Sequence, residues 1–213
     1  MNPITASTNT LLFDWDGTVV DSAQLGLTAY EKSFAELGIP FDHEIYRTVY
    51  SPNWLSVYEG LGLPKEQWQR ADELWTQHYD EQSAGLISGA GETIAELRKK
   101  GYRLGVVSSG NDCRVNREIE DLGLAGFFEV VICHEQIRNR KPHPEGLETA
   151  MRSLGCSQIE VGYVGDTPED IEMGKSAGVL TVAVRSAYPT SWKLESQHPD
   201  VFLKSFPELL DHF

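Results

Sequence analysis

Two aspartates stand two positions apart, directly after a short apolar run at residues 11–13. They are Asp14 and Asp16, and a glycine follows them. Two carboxylates at the end of a buried strand are costly unless something compensates their charge. A hard cation such as Mg²⁺ is the natural compensator, because it prefers oxygen ligands. A solvated acidic turn is the alternative at this point.

A second acidic pair, Asp166 and Asp170, follows the apolar run at residues 161–164. Thr167 and Asp170 fit a capping box around a proline at a helix start, which is a purely structural role for Asp170. Asp166 stands at the end of the run itself. We expect it to converge with the first acidic pair and to complete a magnesium site.

A lysine and two serines supply groups that can hold an anion. Lys141 is followed by Pro142 and Pro144, ahead of a helix-like pattern. A lone lysine, however, is usually a surface charge. Ser108 ends the run at 104–107, and Ser109 follows it at a helix start. A hydroxyl and free backbone N–H groups can cradle an anion there, and a simple turn is the alternative.

The elements that must position these side chains alternate along the chain. Apolar, β-rich runs predict buried parallel strands at residues 11–13, 104–107, 130–133, 161–164 and 180–184. Helical patterns that end at a glycine follow at residues 92–100, 112–122 and 168–177. We therefore predict an α/β fold with a doubly wound parallel sheet, a Rossmann-like core. Ligands bind at the carboxyl ends of such strands, where all four motifs stand.

The alternation breaks between residues 21 and 83, where helical patterns cover 22–37, 42–50, 53–61 and 65–82. We expect residues 1–20 and 84–213 to form the α/β core and residues 21–83 to form an inserted α-helical cap. Trp68, Ala71, Trp75 and Tyr79 fall at helical spacing, which is typical of core packing. The glycine-rich segment 83–91 suits a flexible hinge.

Composition excludes several classes of partner. The formal charge of -14 provides no basic stripe, so we expect neither nucleic acid nor an anionic membrane surface as a partner. Cys113, Cys133 and Cys156 form no CxxC pair, so we expect buried, reduced thiols rather than a disulfide or zinc site. A polar start and no run of membrane-spanning length lead us to expect a cytoplasmic protein. The oligomeric state is not predicted.

The order of the four motifs resembles that of the haloacid dehalogenase superfamily of phosphatases. The resemblance rests on residues 14–18, Ser108, Lys141 and residues 165–166 with Asp170. The helical insert is similar to the cap of the phosphoglycolate phosphatase-like subgroup. This resemblance implies a magnesium-dependent phosphatase that hydrolyses a small phosphorylated metabolite, a phosphomonoester, through an aspartyl-phosphate.

The resemblance also implies a role for each motif. Asp14 is the nucleophile and Asp16 the general acid and base, while Mg²⁺ is held by Asp14, the main-chain carbonyl of Asp16, and Asp166. Ser108 and Lys141 hold the phosphate oxygens, with Ser109 beside them as a substrate-binding residue. Asp170 contacts the metal site, either through the water shell of the metal or by orienting Lys141.

More than one substrate and more than one reaction type are compatible with the sequence. Asp16 argues against dehalogenases and phosphonate-cleaving relatives, which resemble this pattern but lack that aspartate. A phosphosugar mutase of the same superfamily and a non-catalytic phospho-acceptor or binding protein are further readings. Related caps often carry an arginine before a glycine-containing loop; here Arg47 precedes residues 48–54, which lack that glycine. Arg47 is a candidate contact for a substrate carboxylate, with a surface helix position as the alternative.

Overall fold

A six-stranded parallel sheet carries the site residues, in a computed structural model that describes residues 7–213. Its strands are β1 (Thr10–Phe13), β4 (Arg103–Val107), β5 (Val130–Ile132), β6 (Val161–Gly165), β7 (Leu180–Val184) and β8 (Val201–Leu203). Their order across the sheet is β5-β4-β1-β6-β7-β8. The first strand of the chain therefore lies inside the sheet, between β4 and β6, where both of its edges are paired.

The five strands predicted from the sequence are all present, and each end lies within one residue of its prediction. The edge strand β8 was not predicted. All three of its residues pair with β7, and an isolated apolar run of this length is ambiguous from periodicity alone.

Helices cover both faces of the sheet, because successive side chains of a strand point to opposite faces. Leu11 and Phe13 of β1 belong to one apolar cluster, and Leu12 between them belongs to the other. The first cluster includes residues of α5 (Ala90–Lys99) and α6 (Asp112–Asp121). The second includes residues of α7 (Glu145–Leu154) and α8 (Pro168–Ala177). The predicted doubly wound α/β fold is thus confirmed.

Four helices occupy the segment between β1 and α5: α1 (Ala23–Glu36), α2 (His43–Val49), α3 (Trp54–Gly60) and α4 (Trp68–Tyr79). The first three lie within one residue of the predicted ends. The fourth pattern, 65–82, was predicted as one helix, but it starts as the 3₁₀ turn Lys65–Gln67 and its α-helix ends at Tyr79. These helices share an apolar cluster rich in aromatic side chains, including Tyr30, Phe34, Tyr46 and Tyr58.

The helical insert begins and ends at a short antiparallel ribbon. Strand β2 (Val20–Asp21) pairs with β3 (Gly85–Leu86), so the entry and the exit of the insert lie side by side. The sequence predicted only a flexible hinge over residues 83–91. Two-residue strands carry no alternation, and only the meeting of two distant segments produces the pairing.

The cysteines differ in exposure. Cys133 is buried and Cys156 half-buried, but Cys113 is exposed on α6, so the expectation of buried thiols is wrong for Cys113. All three are free thiols. Between residues 7 and 213, no helix combines the length and the apolar character needed to cross a bilayer.

Candidate active site

Three site residues directly follow strands of the parallel sheet. Asp14 follows β1, Ser108 follows β4, and Asp166 follows β6. The register places the last residue of β1 opposite Val106 of β4 and Val164 of β6. The amide of Asp14 donates to the carbonyl of Val164 at 2.8 Å, which extends this pairing to the nucleophile candidate. All three residues therefore lie at the carboxyl edge of the sheet.

Lys141 joins two of the acidic residues. Its Nζ lies 2.5 Å from Oδ1 of Asp14 and 2.7 Å from Oδ1 of Asp170, and all three side chains are buried. Burial alone lowers the pKa of a lysine, but the two carboxylates outweigh it and raise the pKa of Lys141. Lys141 is therefore a fixed cation inside the site rather than a surface charge.

Asp170 has two structural tasks at once. Its Oδ2 accepts hydrogen bonds from the backbone N–H of Thr167 at 3.0 Å and from the Thr167 hydroxyl at 2.6 Å, which completes the expected capping box. Its Oδ1 accepts from Lys141 and, at 3.0 Å, from the hydroxyl of Tyr163. Each carboxylate oxygen of Asp170 thus already accepts two hydrogen bonds.

Three buried carboxylates lie close together. Asp14, Asp166 and Asp170 each offer an oxygen within 4.8 Å of the others. Burial raises the pKa of Asp14 to about 7, with Lys141 opposing the rise and Asp170 adding to it. Burial, and then the charges of Asp14 and Asp170, raise the pKa of Asp166 well above its ordinary value. Such mutual repulsion is what a bound cation relieves.

Asp166 has one carboxylate oxygen without a partner. Its Oδ1 accepts from the hydroxyl of Thr18 at 3.0 Å, whereas its Oδ2 is buried and receives no hydrogen bond from the described residues. A buried, unpaired carboxylate oxygen is costly, so it marks a place where a positive group fits. The carboxylate oxygens at this edge of the sheet are therefore suitable ligands for a magnesium ion.

Gly17 allows the backbone to pass close to Asp166. Its φ is +83°, a left-handed conformation that favours glycine. A Cβ at this position would lie 2.5 Å from Oδ2 of Asp166 and would overlap the ring of Tyr188. The glycine after the first acidic pair is thus required by both conformation and space.

The side chain of Asp16 points to a different partner from that of Asp14. Arg114 of α6 donates to Asp16 through Nη1 at 3.0 Å and Nη2 at 2.6 Å. Burial raises the pKa of a carboxyl group, but the Arg114 guanidinium outweighs it and lowers the pKa of Asp16. The carboxylate of Asp16 stands outside the cluster of Asp14, Asp166 and Asp170, so its main-chain carbonyl, as predicted from the sequence, remains the group of Asp16 that is assigned to the metal.

Sequence reasoning missed Arg114. The residue is buried, and its Nη1 also donates to the Tyr79 hydroxyl at 3.2 Å and to Glu118 at 3.1 Å. Gly110 leaves room for it, since a Cβ there would overlap its guanidinium. No local signal identified this residue, because Arg114 and Asp16 are 98 positions apart in the chain.

The two serines lie at the same edge. Ser108 is buried, and its Oγ accepts from the N–H of Gly110 at 2.9 Å, so its own hydroxyl hydrogen is available to a ligand. Ser109 lines the cavity described below together with Asp14. Both positions are compatible with contact to an anion.

Arg47 is not brought to this site. It lies exposed on α2, and its Nη1 pairs with Glu44 at 3.0 Å on the same helix. It does not line the cavity next to Asp14. Arg47 therefore occupies a surface position on its helix, and the structure offers no support for a contact with substrate.

A cavity of about 310 Å³ lies between the sheet edge and the helical insert. The sheet side contributes Asp14, Asp16, Ser109, Gly110, Asn111, Arg114, His134, Thr167 and Tyr188. The insert contributes Gly26, Tyr30, Tyr46, Tyr50, Ser51, Pro52, Trp54, Tyr58, Asp72, Trp75 and Thr76. The aromatic stripe of α4 was predicted to be core; Ala71 and Tyr79 are buried, but Trp75 lines this cavity.

The chain is similar to known proteins. The family model described as haloacid dehalogenase-like hydrolase matches residues 11–184. The chain is 32% identical to pyrophosphatase PpaX of Listeria monocytogenes serotype 4b (strain CLIP80459), with 97% of each chain covered. It is 28% identical to pyrophosphatase PpaX of Oceanobacillus iheyensis, with 96% of each chain covered.

Solved structures of the same fold are also similar. A predicted phosphoglycolate phosphatase from Haemophilus somnus 129pt matches with a TM-score of 0.85 at 20% identity, covering 97% of this chain and 98% of that one. CbbY from Rhodobacter sphaeroides, solved in complex with phosphate, matches with a TM-score of 0.81 at 23% identity, covering 95% and 96%. At these identities the likeness concerns the fold.

Proposed function

The chain belongs to the haloacid dehalogenase-like hydrolase family, and from this premise we propose that it hydrolyses a small phosphomonoester through an aspartyl-phosphate on Asp14, with magnesium. The matching family is described as one of hydrolases. The observation that carries the proposal is the buried arrangement of Lys141 between Asp14 and Asp170, beside a cavity that opens on Asp14.

Asp14 supplies the nucleophile. Lys141 holds its Oδ1, so the second carboxylate oxygen is left to attack phosphorus. The bond between phosphorus and the ester oxygen breaks, and the electron pair leaves with that oxygen. Water then attacks the aspartyl-phosphate, which releases inorganic phosphate and restores Asp14. Ser108 and Lys141 bind the phosphate oxygens during both steps.

Asp16 moves the protons. In the first step it donates a proton to the leaving oxygen, and in the second it takes one from the attacking water. Arg114 holds Asp16 as a carboxylate, which suits the second step. The first step requires the Asp16 side chain to turn away from the guanidinium and toward the leaving oxygen.

The carboxylate ligands that this chain provides suit magnesium. A bound ion would supply positive charge against the clustered carboxylates and the incoming phosphate. Asp14 and Asp166 would hold it, because Oδ2 of Asp166 is buried without a partner. Each carboxylate oxygen of Asp170 already accepts two hydrogen bonds. Asp170 would therefore orient Lys141 rather than bind the ion directly.

The division into domains is part of the proposal. We place the core at residues 1–20 and 84–213, of which residues 1–6 lie outside the described part of the chain, and the cap at 21–83. The ribbon of β2 and β3 lies at this junction. The shared aromatic cluster of α1 to α4 supports a separate cap. The cap then closes the cavity over the ester, while the sheet edge performs the reaction.

Phosphate release tests the proposal directly. Small phosphomonoesters are incubated with magnesium or with EDTA, using the wild type, Asp14→Asn, and Asp21→Asn as an exposed control. We expect magnesium-dependent release that falls at least about a thousandfold in Asp14→Asn and is unchanged in Asp21→Asn. Phosphorus NMR on a sugar phosphate distinguishes transfer by a mutase from hydrolysis. Phosphate release that persists in Asp14→Asn would refute the assignment of Asp14 as the nucleophile.

A further inference from the structure

The wall that the inserted helices contribute to the cavity is aromatic. Tyr30 is its centre: ring centroids lie 5.6 Å away at Tyr46, 6.1 Å at Tyr58 and 5.9 Å at Trp75. Trp54 also lines this wall. The electron-rich faces of such rings attract a cation and have no favourable interaction with an anion.

Asp72 is the charged side chain on this wall. The hydroxyl of Tyr58 donates to its Oδ1 at 2.9 Å, and Asp72 has no ion-pair partner among residues 7–213. Burial raises the pKa of Asp72, and the more distant charges of Arg140 and His134 oppose the rise. The carboxylate therefore stands next to the cavity with neutral hydrogen-bonding support.

The lysines and arginines near the cavity do not line it on the side of the insert. Arg140 stacks on Trp54, with its guanidinium carbon 3.8 Å from the ring centroid, and does not line the cavity. Arg114 lines it but donates to Asp16 and Glu118. No lysine or arginine of residues 7–213 faces the cavity from the insert. A carboxylate or second phosphate on the leaving group would therefore meet Asp72 with no lysine or arginine beside it on this wall.

We infer that this wall selects a phosphomonoester whose leaving group carries a positive charge, the phosphate ester of an amino alcohol. The inference rests on the proposed function and names the substrate class of the same site. The ammonium group would lie against the rings around Tyr30 and beside Asp72, while the phosphate binds near Asp14. The cavity of about 310 Å³ suits a small molecule of this kind.

A matched series of two-carbon esters tests the selection in the wild type. O-phosphoethanolamine, 2-hydroxyethyl phosphate and phosphoglycolate carry a positive, a neutral and a negative end group on the same short frame. We expect kcat/KM for O-phosphoethanolamine to exceed that for 2-hydroxyethyl phosphate about tenfold, with phosphoglycolate slowest. A preference for phosphoglycolate or for the neutral ester would overturn the inference and leave the proposed function intact.

Two variants of α4 locate the effect. Asp72→Asn should lower kcat/KM for O-phosphoethanolamine about tenfold and change that for 2-hydroxyethyl phosphate less than about twofold. Glu73→Gln, exposed on the same helix, should change neither. An equal loss for both esters in Asp72→Asn would indicate a structural role and contradict the inference.

Choline binding gives a readout that does not need turnover. Calorimetric titration of the wild type with choline should show binding that weakens about tenfold in Asp72→Asn and not in Glu73→Gln. If no ester is hydrolysed but choline binds in this pattern, the proposed function fails and the cation site stands. If esters are hydrolysed and choline does not bind, the cation site fails.

Discussion

Arg114 holds Asp16 by two hydrogen bonds across 98 positions of sequence, one at 2.6 Å and one at 3.0 Å. The same guanidinium contacts Glu118 on its own helix and the hydroxyl of Tyr79 at the end of α4. Trp15 donates to Glu118 at 2.7 Å, which ties the network back to the loop after β1. One buried cation therefore connects the sheet edge, α6 and the helical insert.

Removal of this cation should destabilise the protein. Arg114→Met leaves Asp16 and Glu118 partly buried without their counterion, and we expect the free energy of unfolding to fall by about 3 kcal/mol. Urea unfolding measures the change. Arg117→Met is the matched control, because Arg117 is on the same helix and also pairs with an aspartate, Asp80, at 2.6 Å, but is half-exposed. Its loss should cost less than about 1 kcal/mol; equal losses would contradict the argument.

Gly110 should be intolerant of a methyl group. In Gly110→Ala the new Cβ would overlap the guanidinium of Arg114 and lie 2.9 Å from Cγ2 of Val115. We expect Arg114 to move away from Asp16, with lower phosphatase activity and a loss of about 1–2 kcal/mol in unfolding free energy. Gly85→Ala is the control, since nothing lies within 4 Å of its Cβ. Unchanged activity in Gly110→Ala would show that Arg114 is not held where the structure places it.

Magnesium should stabilise the folded protein through Asp166. A ligand that binds only the folded state raises the unfolding temperature as its concentration rises. We expect this increase in the wild type and its loss in Asp166→Asn, measured by scanning calorimetry with magnesium or EDTA. Asp200→Asn, on the loop before β8, serves as a control that keeps the response. A magnesium response that survives in Asp166→Asn would remove this residue from the metal site.

The cysteines should differ in reactivity. Burial, followed by the charges of nearby acidic residues, raises the pKa of the Cys133 thiol to about 12. Below that pH the group stays protonated, and the thiolate is the reactive form, so Cys133 should resist iodoacetamide at pH 8. Cys113 is exposed and should be modified first. Peptide mass spectrometry reads both sites, and Cys133 should react at that pH only after unfolding in urea.

The alternating elements, and the strand ends at which Asp14, Ser108 and Asp166 stand, could be predicted from local sequence patterns. Buried strands appear as local apolar runs, and helix ends appear as capping and glycine signals within a few residues. Parallel pairing then places strand ends at a single edge. Such inferences need only short-range patterns and the geometry of a sheet.

Which side chains meet could not be predicted in this way, because it depends on how the folded elements pack. The pairing of Arg114 with Asp16, the position of Lys141 between Asp14 and Asp170, and the exposure of Arg47 all depend on segments far apart in sequence. The same is true of the aromatic cavity wall around Asp72. Propensity and periodicity are local properties, whereas a contact between distant residues forms only when the packed helices and the sheet bring their backbones within a few ångströms.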